Sequence, residues 1–153
     1  MTPASVDSAP LREGQSRHAR AALVIWGESL GRALTAGDVL LLSGDVGAGK
    51  TTLAQAIARG YGVAEPVTSP TFTVVHEYET PRGVLRHADL YRLRGPQELD
   101  VLGWDELVAG DAPMLVEWPE RAEGRWPSGA WHITLLIPPD HPDERDVVVE
   151  RVS

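Results

Sequence analysis

Residues 44–51 constrain this chain more than any other part of its sequence. They read Gly-Asp-Val-Gly-Ala-Gly-Lys-Thr and fit the pattern G-x-x-x-x-G-K-[ST], in which backbone N–H groups wrap the phosphates of a nucleotide. Lys50 is the only lysine among the 153 residues, and arginine takes the place of lysine everywhere else in the chain. A compact ammonium fits between β- and γ-phosphates where a planar guanidinium does not. We therefore expect Lys50 to contact a bound phosphate.

The segments before and after this loop have the strand and helix patterns that the motif requires. Residues 38–43 form a short apolar run bounded by turn signals, which is typical of a strand covered on both faces in a parallel sheet. Residues 51–59 predict a helix that ends at Gly60 or Gly62. Loop amides and a helix N-terminus together offer hydrogen-bond donors and partial positive charge to an anion. A phosphate-binding unit of strand, loop and helix is thus predicted.

The rest of the chain divides into a tail and one domain. Residues 1–16 lack an apolar period and predict a disordered tail, followed by a nucleotide-binding domain over residues 17–153. From about residue 17 to Gly37 the apolar spacing predicts a helix, although Gly27 and Gly31 weaken it. Strands are predicted over residues 72–78, 84–88, 114–116, 131–137 and 147–152, and a further helix over residues 95–107.

Composition excludes several classes of protein. Cysteine is absent, so neither disulfides nor thiolate chemistry is expected. The first twenty residues lack the apolar segment of a secretory signal, and no run approaches the ~20 apolar residues of a membrane span. A cytoplasmic location without membrane contact is the expectation. The net charge of -8 argues against a nucleic-acid groove, so any link to RNA should run through a protein partner.

Two acids and a hydroxyl are candidates for the chemistry. Phosphoryl transfer depends on positioning and charge neutralisation, so the site should hold Mg²⁺. Thr51 supplies the hydroxyl expected on that ion, while Glu117 and Asp89 each end a predicted strand. Thr71 lies in a hydroxyl-rich segment that is either a nucleotide switch or a simple turn. Trp118 either stacks on a base or partner, or packs at the margin of the sheet.

The loop alone does not separate ATPases, GTPases, kinases and switches. The chain has no asparagine, so it cannot supply the Asn-Lys-x-Asp signature that reads guanine, and adenine is favoured. A small-molecule kinase usually carries an arginine-rich lid, but here only Arg92 and Arg94 lie close together. A kinase and a non-catalytic nucleotide switch remain open as alternatives.

Four blocks of sequence together resemble a known family. They are GDVGAGKTT, SPTFT, HADLYRL and LVEWP, at residues 44–52, 69–73, 87–93 and 115–119. In this order they resemble the TsaE (YjeE) family of bacterial ATPases, which serve the biosynthesis of threonylcarbamoyladenosine (t6A) in tRNA. The resemblance implies a three-layer α/β P-loop NTPase domain with a mixed, mostly parallel central sheet. It also implies slow ATP hydrolysis and action on a TsaD–TsaB pair, where the threonylcarbamoyl transfer itself takes place.

The resemblance also implies roles for individual residues. Lys50, Asp89 and Glu117 would be catalytic, and Thr51 and Glu117 would hold Mg²⁺. Asp89 would either polarise the attacking water or tune the surroundings of the metal. The residues implied to contact the nucleotide are Asp45, Val46, Gly47, Ala48, Gly49, Lys50, Thr51, Thr52, Thr71, Trp118 and Arg145. Thr71 would belong to a switch-like segment, Trp118 would lie at the nucleotide or partner surface, and Arg145 would be a basic contact.

Overall fold

The computed structural model describes residues 11–68 and 74–152. Across these two ranges the chain forms seven strands and four α-helices, with one 3-10 helix. In chain order they are β1 (Gly14–Ala19), α1 (Arg20–Ala33), β2 (Val39–Gly44), α2 (Lys50–Tyr61), β3 (Val75–Thr80), β4 (Gly83–Asp89), α3 (Gln97–Leu102), α4 (Trp104–Val108), β5 (Met114–Glu117), the 3-10 helix (Pro119–Ala122), β6 (Trp131–Leu136) and β7 (Glu144–Arg151).

All seven strands belong to one mixed sheet, in the order β1-β7-β6-β2-β5-β4-β3. The four central strands β6, β2, β5 and β4 pair in parallel, while β3 is antiparallel to β4 and β7 is antiparallel to β6. Because β1 is antiparallel to β7, it runs in the direction of the central four. Five of the seven strands therefore point the same way, and the predicted mixed, mostly parallel sheet is confirmed.

Strand β2 lies at the centre of the sheet and is covered on both faces, as its apolar run predicted. Leu40 and Leu42 enter one core, which α1 and α2 close. Val39 and Leu41 enter a second core, closed by α3, α4 and the 3-10 helix. Successive strand residues point to opposite faces, so one uninterrupted apolar run serves two cores. The result is the predicted arrangement of three layers.

Glycines let α1 and α2 approach each other closely. A Cβ atom added to Gly31 would lie 2.0 Å from the carbonyl oxygen of Ile57, and one added to Gly60 would lie 2.0 Å from that of Glu28. Neither position has room for a side chain. Gly31 therefore weakens helix propensity but makes the packing of α1 on α2 possible, and this packing supports the helix that follows the phosphate loop.

The N-terminal boundary differs from the prediction. Residues 14–19 form β1 along the edge of β7, and α1 begins at Arg20, so the predicted tail end at Ser16 and helix start at residue 17 are wrong. The edge of β7 offers unpaired backbone groups, which a polar segment can satisfy without any apolar pattern. Arg17 Nε also donates to Asp146 Oδ1 at 2.7 Å. Residues 1–10 lie outside the described ranges.

Two further elements differ from their predicted bounds. The helix expected over residues 95–107 is two short helices, because Gly103 adopts a left-handed φ of 71° and ends α3 before α4 begins. Strand β7 starts at Glu144, before the expected residue 147, and β3 starts at Val75. Residues 72 and 73 of the strand predicted over residues 72–78 lie outside the described ranges. None of the helices in those ranges combines the length and apolar character needed to cross a membrane.

Candidate functional site

The loop between β2 and α2 has the backbone shape that its glycines permit. Gly47 and Gly49 take left-handed φ values of 87° and 103°, which glycine adopts without the strain that a Cβ atom brings. The N–H of Ala48 donates to the carbonyl oxygen of Asp45 at 2.9 Å, which closes the turn. Helix α2 then starts at Lys50. The loop and the N-terminus of a twelve-residue helix thus meet at one place.

A cavity of about 510 Å³ opens at this place, beside the C-terminal ends of β4 and β5. Its lining residues are Val46, Gly47, Gly49, Lys50, Thr51, Thr52, Asp89, Tyr91, Glu117 and Trp118. The walls therefore combine loop backbone, one ammonium, two threonine hydroxyls, two carboxylates, and the rings of a tyrosine and a tryptophan. Most of the residues that the sequence nominated for the site come together here.

Lys50 lies against the base of the loop. Its side chain is buried, and Nζ donates to the carbonyl oxygens of Gly44 and, at 3.2 Å, Asp45. Nζ also lies 4.2 Å from the centroid of the Trp118 ring, within the range of a cation–π contact. Burial lowers the pKa of Lys50, while nearby carboxylates, Glu117 first, oppose this effect. A single positive charge is thus held inside the cavity by neutral oxygens and a ring face.

Glu117 is held by two different donors. Its side chain is 2% exposed. Oε1 accepts a hydrogen bond from Thr51 Oγ1 at 3.1 Å, and Oε2 lies 2.6 Å from Nε2 of the fully buried His87. The partner of the buried His87 ring is thus a buried acid.

Asp89 is the direct neighbour of Glu117 in the register of β4 and β5. Its Oδ1 accepts the backbone N–H of Tyr91 at 3.0 Å. Burial raises the pKa of Asp89, the Tyr91 N–H opposes that rise, and the nearby Glu117 charge adds to it. Asp89 is thus a more basic carboxylate than an exposed aspartate.

An aromatic pair forms one wall of the cavity. Trp118 adopts a left-handed φ of 58°, and its ring centroid lies 4.9 Å from that of Tyr91. Tyr91 is 48% exposed and lines the cavity, but sequence reasoning did not nominate it. The available signal was its position in the HADLYRL block, two residues after Asp89.

The structure does not bring Arg145 into the cavity. Its guanidinium is buried and donates from Nε to the carbonyl oxygen of Ala48 at 2.9 Å and from Nη2 to that of Gly47 at 3.4 Å. Arg145 therefore holds the backbone of the loop through these carbonyl oxygens, without lining the cavity. Asp45 and Ala48 belong to the loop but do not line the cavity, and Thr71 lies outside the described residues.

The surroundings of Thr51 and Glu117 fit a magnesium ion that is bound together with phosphates. Within residues 11–68 and 74–152 no group of three or more His, Cys, Asp or Glu side chains could hold a metal by itself. Mg²⁺ in phosphoryl-transfer sites takes one or two carboxylates and completes its shell with phosphates and water. A hydroxyl and a carboxylate oxygen 3.1 Å apart in the cavity wall match that need.

A central parallel strand, a glycine-rich phosphate loop, a helix and an acid at the end of the neighbouring strand define the class of P-loop NTPase folds. Residues 17–147 match the sequence model of the family described as "Threonylcarbamoyl adenosine biosynthesis protein TsaE". The chain belongs to the TsaE family, whose members take part in t6A biosynthesis.

Individual relatives agree with this assignment. The TsaE protein of Nostoc sp. (strain PCC 7120) is 48% identical over 96 residues, which cover 60% of this chain and 59% of the relative. That of Bacillus subtilis (strain 168) is 40% identical over 117 residues, covering 76% and 72%. Both are named tRNA threonylcarbamoyladenosine biosynthesis protein TsaE. The chain spans about three fifths of the length of the Nostoc relative and of a Synechocystis relative, at 59% and 63%.

A solved structure shows the same fold. The crystal structure of Bacillus subtilis YdiB superposes with a TM-score of 0.71 at 32% sequence identity, covering 94% of this chain and 88% of that one. The P-loop architecture predicted from the sequence is confirmed by this likeness.

Proposed function

We propose that this protein binds ATP together with Mg²⁺ in the cavity and hydrolyses it slowly, as the ATP-driven subunit of t6A formation. The observation that carries the proposal is the convergence of Lys50, Thr51, Asp89 and Glu117 from α2, β4 and β5 on one cavity. This cavity lies outside the C-terminal ends of parallel strands, where ligands of open α/β sheets bind.

The phosphates are assigned to the loop and the start of α2. Gly47 and Gly49 line the cavity at the N-terminus of α2, where negative charge is stabilised, so backbone N–H groups of this loop would donate to the phosphates. Lys50 adds a full positive charge there, and its burial strengthens its interaction with an anion.

Thr51 and Glu117 would hold Mg²⁺, which supplies charge neutralisation on the phosphate oxygens when it is bound. The support is their adjacency, with Oγ1 and Oε1 3.1 Å apart in the cavity wall. Glu117 is suited to act as a metal ligand of fixed orientation, because hydrogen bonds orient both of its oxygens.

Asp89 is assigned to the attacking water. Water attacks the γ-phosphorus, the bond to the β–γ bridging oxygen breaks, and ADP and phosphate leave. Asp89 orients the water and accepts its proton, because its raised pKa makes it a stronger base than an ordinary aspartate. Glu117 is less suited to that task, since Thr51 and His87 already occupy its oxygens.

Adenine is favoured as the base because the chain lacks asparagine and so cannot form the guanine-reading signature. The ring faces of Trp118 and Tyr91 offer a surface on which a base or a partner residue stacks.

The partners are proposed to be TsaD- and TsaB-like proteins, on which the threonylcarbamoyl transfer takes place. The net charge of -8 supports contact with tRNA through these partners, since a groove for nucleic acid carries a basic face. The protein would then supply an ATP-driven step without being the transferase.

Phosphate release, measured with and without a TsaD–TsaB pair, tests this function. We expect slow release by the isolated protein and faster release when the pair is added. Unchanged release would contradict the partner assignment. Transfer of a labelled γ-phosphate to a metabolite would instead indicate a kinase, and nucleotide-dependent partner binding without any turnover would indicate a switch.

A further inference from the structure

His87 is a buried titratable group that has no direct contact with the nucleotide, the metal or the water of the proposed chemistry. It lies on β4 at 0% exposure, and its Nε2 is 2.6 Å from Oε2 of Glu117. A polar ring without access to water is costly unless its hydrogen bonds are made. This ring makes one strong contact, and it makes it with the acid at the end of β5.

The contact fixes which ring nitrogen carries the hydrogen. A carboxylate accepts hydrogen bonds, so Nε2 of His87 must be the donor to Glu117. Nδ1 of His87 is buried and has no hydrogen-bond partner among the residues that the structure describes. A hydrogen on Nδ1 would be a buried donor without an acceptor, so the Nε2–H tautomer is the favoured one.

The position of His87 follows from the alternation of strand residues. His87 and Asp89 are two residues apart on β4 and therefore point to the same face of the sheet. Asp89 is opposite Glu117, while His87 is opposite Leu115, deeper along β5. His87 does not line the cavity, so it reaches Glu117 from the side away from the cavity.

The two hydrogen bonds to Glu117 act on different oxygens. Thr51 Oγ1 donates to Oε1, and His87 Nε2 is paired with Oε2. A carboxylate held at both oxygens cannot rotate about its terminal bond without losing one of these contacts. The oxygen beside Thr51 is thereby kept on the cavity side.

We propose that His87 is a positioning residue, which sets the orientation of Glu117 so that one oxygen stays directed to Thr51 and the Mg²⁺ that they would share. This inference rests on the proposed function. His87 touches neither nucleotide nor metal and acts through Glu117 alone. Partners of metal-binding carboxylates that act in this way typically change metal affinity or activity by about 10- to 100-fold when they are removed.

Calorimetric titration of the full chain with ADP, in the presence of MgCl₂ and in its absence with a chelator, tests the proposal. The quantity compared is the gain in ADP affinity that Mg²⁺ produces. His87→Phe removes the donor and keeps a ring of similar size. The matched control is His132→Phe on β6, which removes a similar hydrogen bond, between Nε2 and Ser43 Oγ at 2.7 Å, whose two residues do not line the cavity.

We expect His87→Phe to reduce the Mg²⁺-dependent gain about 10-fold or more, while Mg²⁺-free ADP affinity stays within about twofold of the parent chain. His132→Phe should retain the gain. His87→Gln keeps an amide N–H donor and should retain most of the gain. An undiminished gain in His87→Phe would overturn the proposal. If His87→Phe does not fold, His87→Leu takes its place, and equal gains in His87→Leu and His87→Gln would overturn the proposal, because only glutamine keeps a donor.

A spectroscopic readout separates this inference from the proposed function. Imidazole ¹⁵N resonances of the chain without nucleotide or metal should show His87 as the Nε2–H tautomer. A ring without a hydrogen on Nε2 would overturn the positioning role, whatever the protein binds. If the parent chain binds no ADP while His87 shows the expected tautomer, the proposed function fails and the orientation of Glu117 stands.

Discussion

Asp89 and Glu117 lie directly opposite each other on β4 and β5, yet their carboxylates have different surroundings. Glu117 is nearly inaccessible and bonded at both oxygens, whereas Asp89 is half-buried and accepts the backbone N–H of Tyr91 at Oδ1. Two neighbouring acids in contrasting environments are suited to different tasks. This contrast is the basis for assigning Glu117 to the metal and Asp89 to the water.

Replacing each acid by its amide should separate the two roles. Asp89→Asn should lower ATP turnover by about 10²- to 10⁴-fold, because it removes a base, and leave the Mg²⁺-dependent nucleotide affinity nearly unchanged. Glu117→Gln should remove most of that Mg²⁺ dependence. Phosphate release and calorimetry, with and without Mg²⁺, measure both quantities. If Asp89→Asn instead lost the Mg²⁺ dependence of nucleotide affinity and Glu117→Gln lost only turnover, the roles of the two acids would be exchanged.

Lys50 should not be replaceable, even by another cation. Lys50→Ala should lower ATP turnover by about 10²- to 10³-fold through the loss of charge stabilisation. Lys50→Arg should be nearly as defective, because a planar guanidinium does not fit where a compact ammonium does. Arg59→Ala, which removes an exposed cation from the same helix, is the control and should turn over like the parent chain. Full activity of Lys50→Ala would disprove the mechanism.

The raised pKa of Asp89 predicts a pH-dependent stability. The folded chain holds the Asp89 proton more tightly than the unfolded chain, whose aspartate titrates near 3.8. The stabilisation from Asp89 is therefore complete below that pH and is lost as the pH rises through the folded-state value. Asparagine does not ionise, so Asp89→Asn should gain stability relative to the parent chain between acid and neutral pH. Urea unfolding without Mg²⁺ measures this difference in the free energy of unfolding between Asp89→Asn and the parent chain. A difference that shrinks as the pH rises would contradict the prediction.

The close approach of α1 and α2 makes Gly31 intolerant of a side chain. Alanine favours a helix by about 0.5–1 kcal/mol over glycine, but overpacking typically costs about 1–3 kcal/mol. Because the added Cβ would lie 2.0 Å from a backbone oxygen, Gly31→Ala should lower the free energy of unfolding. Exposed Arg32→Ala should stay within about 0.5 kcal/mol of the parent chain. A stabilised Gly31→Ala in denaturant unfolding would refute the packing argument.

The parts of this fold that sequence could predict are those whose signals are local. The apolar run of β2, the glycines of the loop and the apolar residues of β5 each have a recognisable pattern. Lys50, Thr51 and Glu117 were therefore found together with the helix and the strand that carry them. Asp89 followed from its position at a strand end. The strand order that makes Asp89 and Glu117 neighbours depends on long-range pairing, which no local pattern specifies.

The features that differ from the sequence-based expectations, or that the sequence did not indicate, also depend on long-range contacts. Strand β1 pairs through its backbone with the edge of β7, so its polar sequence looked like a tail. Arg145 was expected to be a basic nucleotide contact, and in the structure its guanidinium donates to the carbonyl oxygens of Ala48 and Gly47 in the loop. Tyr91 forms part of the cavity wall through its contact with Trp118, and no local sequence pattern indicates that contact.

Every role proposed for the cavity requires that the loop around Lys50 bind a nucleoside triphosphate. Calorimetry of the full chain with a non-hydrolysable ATP analogue and Mg²⁺ tests this binding most directly. We predict saturable heat from one site per chain, a weaker response to the matching guanine nucleotide, and loss of the signal in Lys50→Ala. An absence of heat from the folded parent chain across nucleotide concentrations up to the millimolar range would contradict the account.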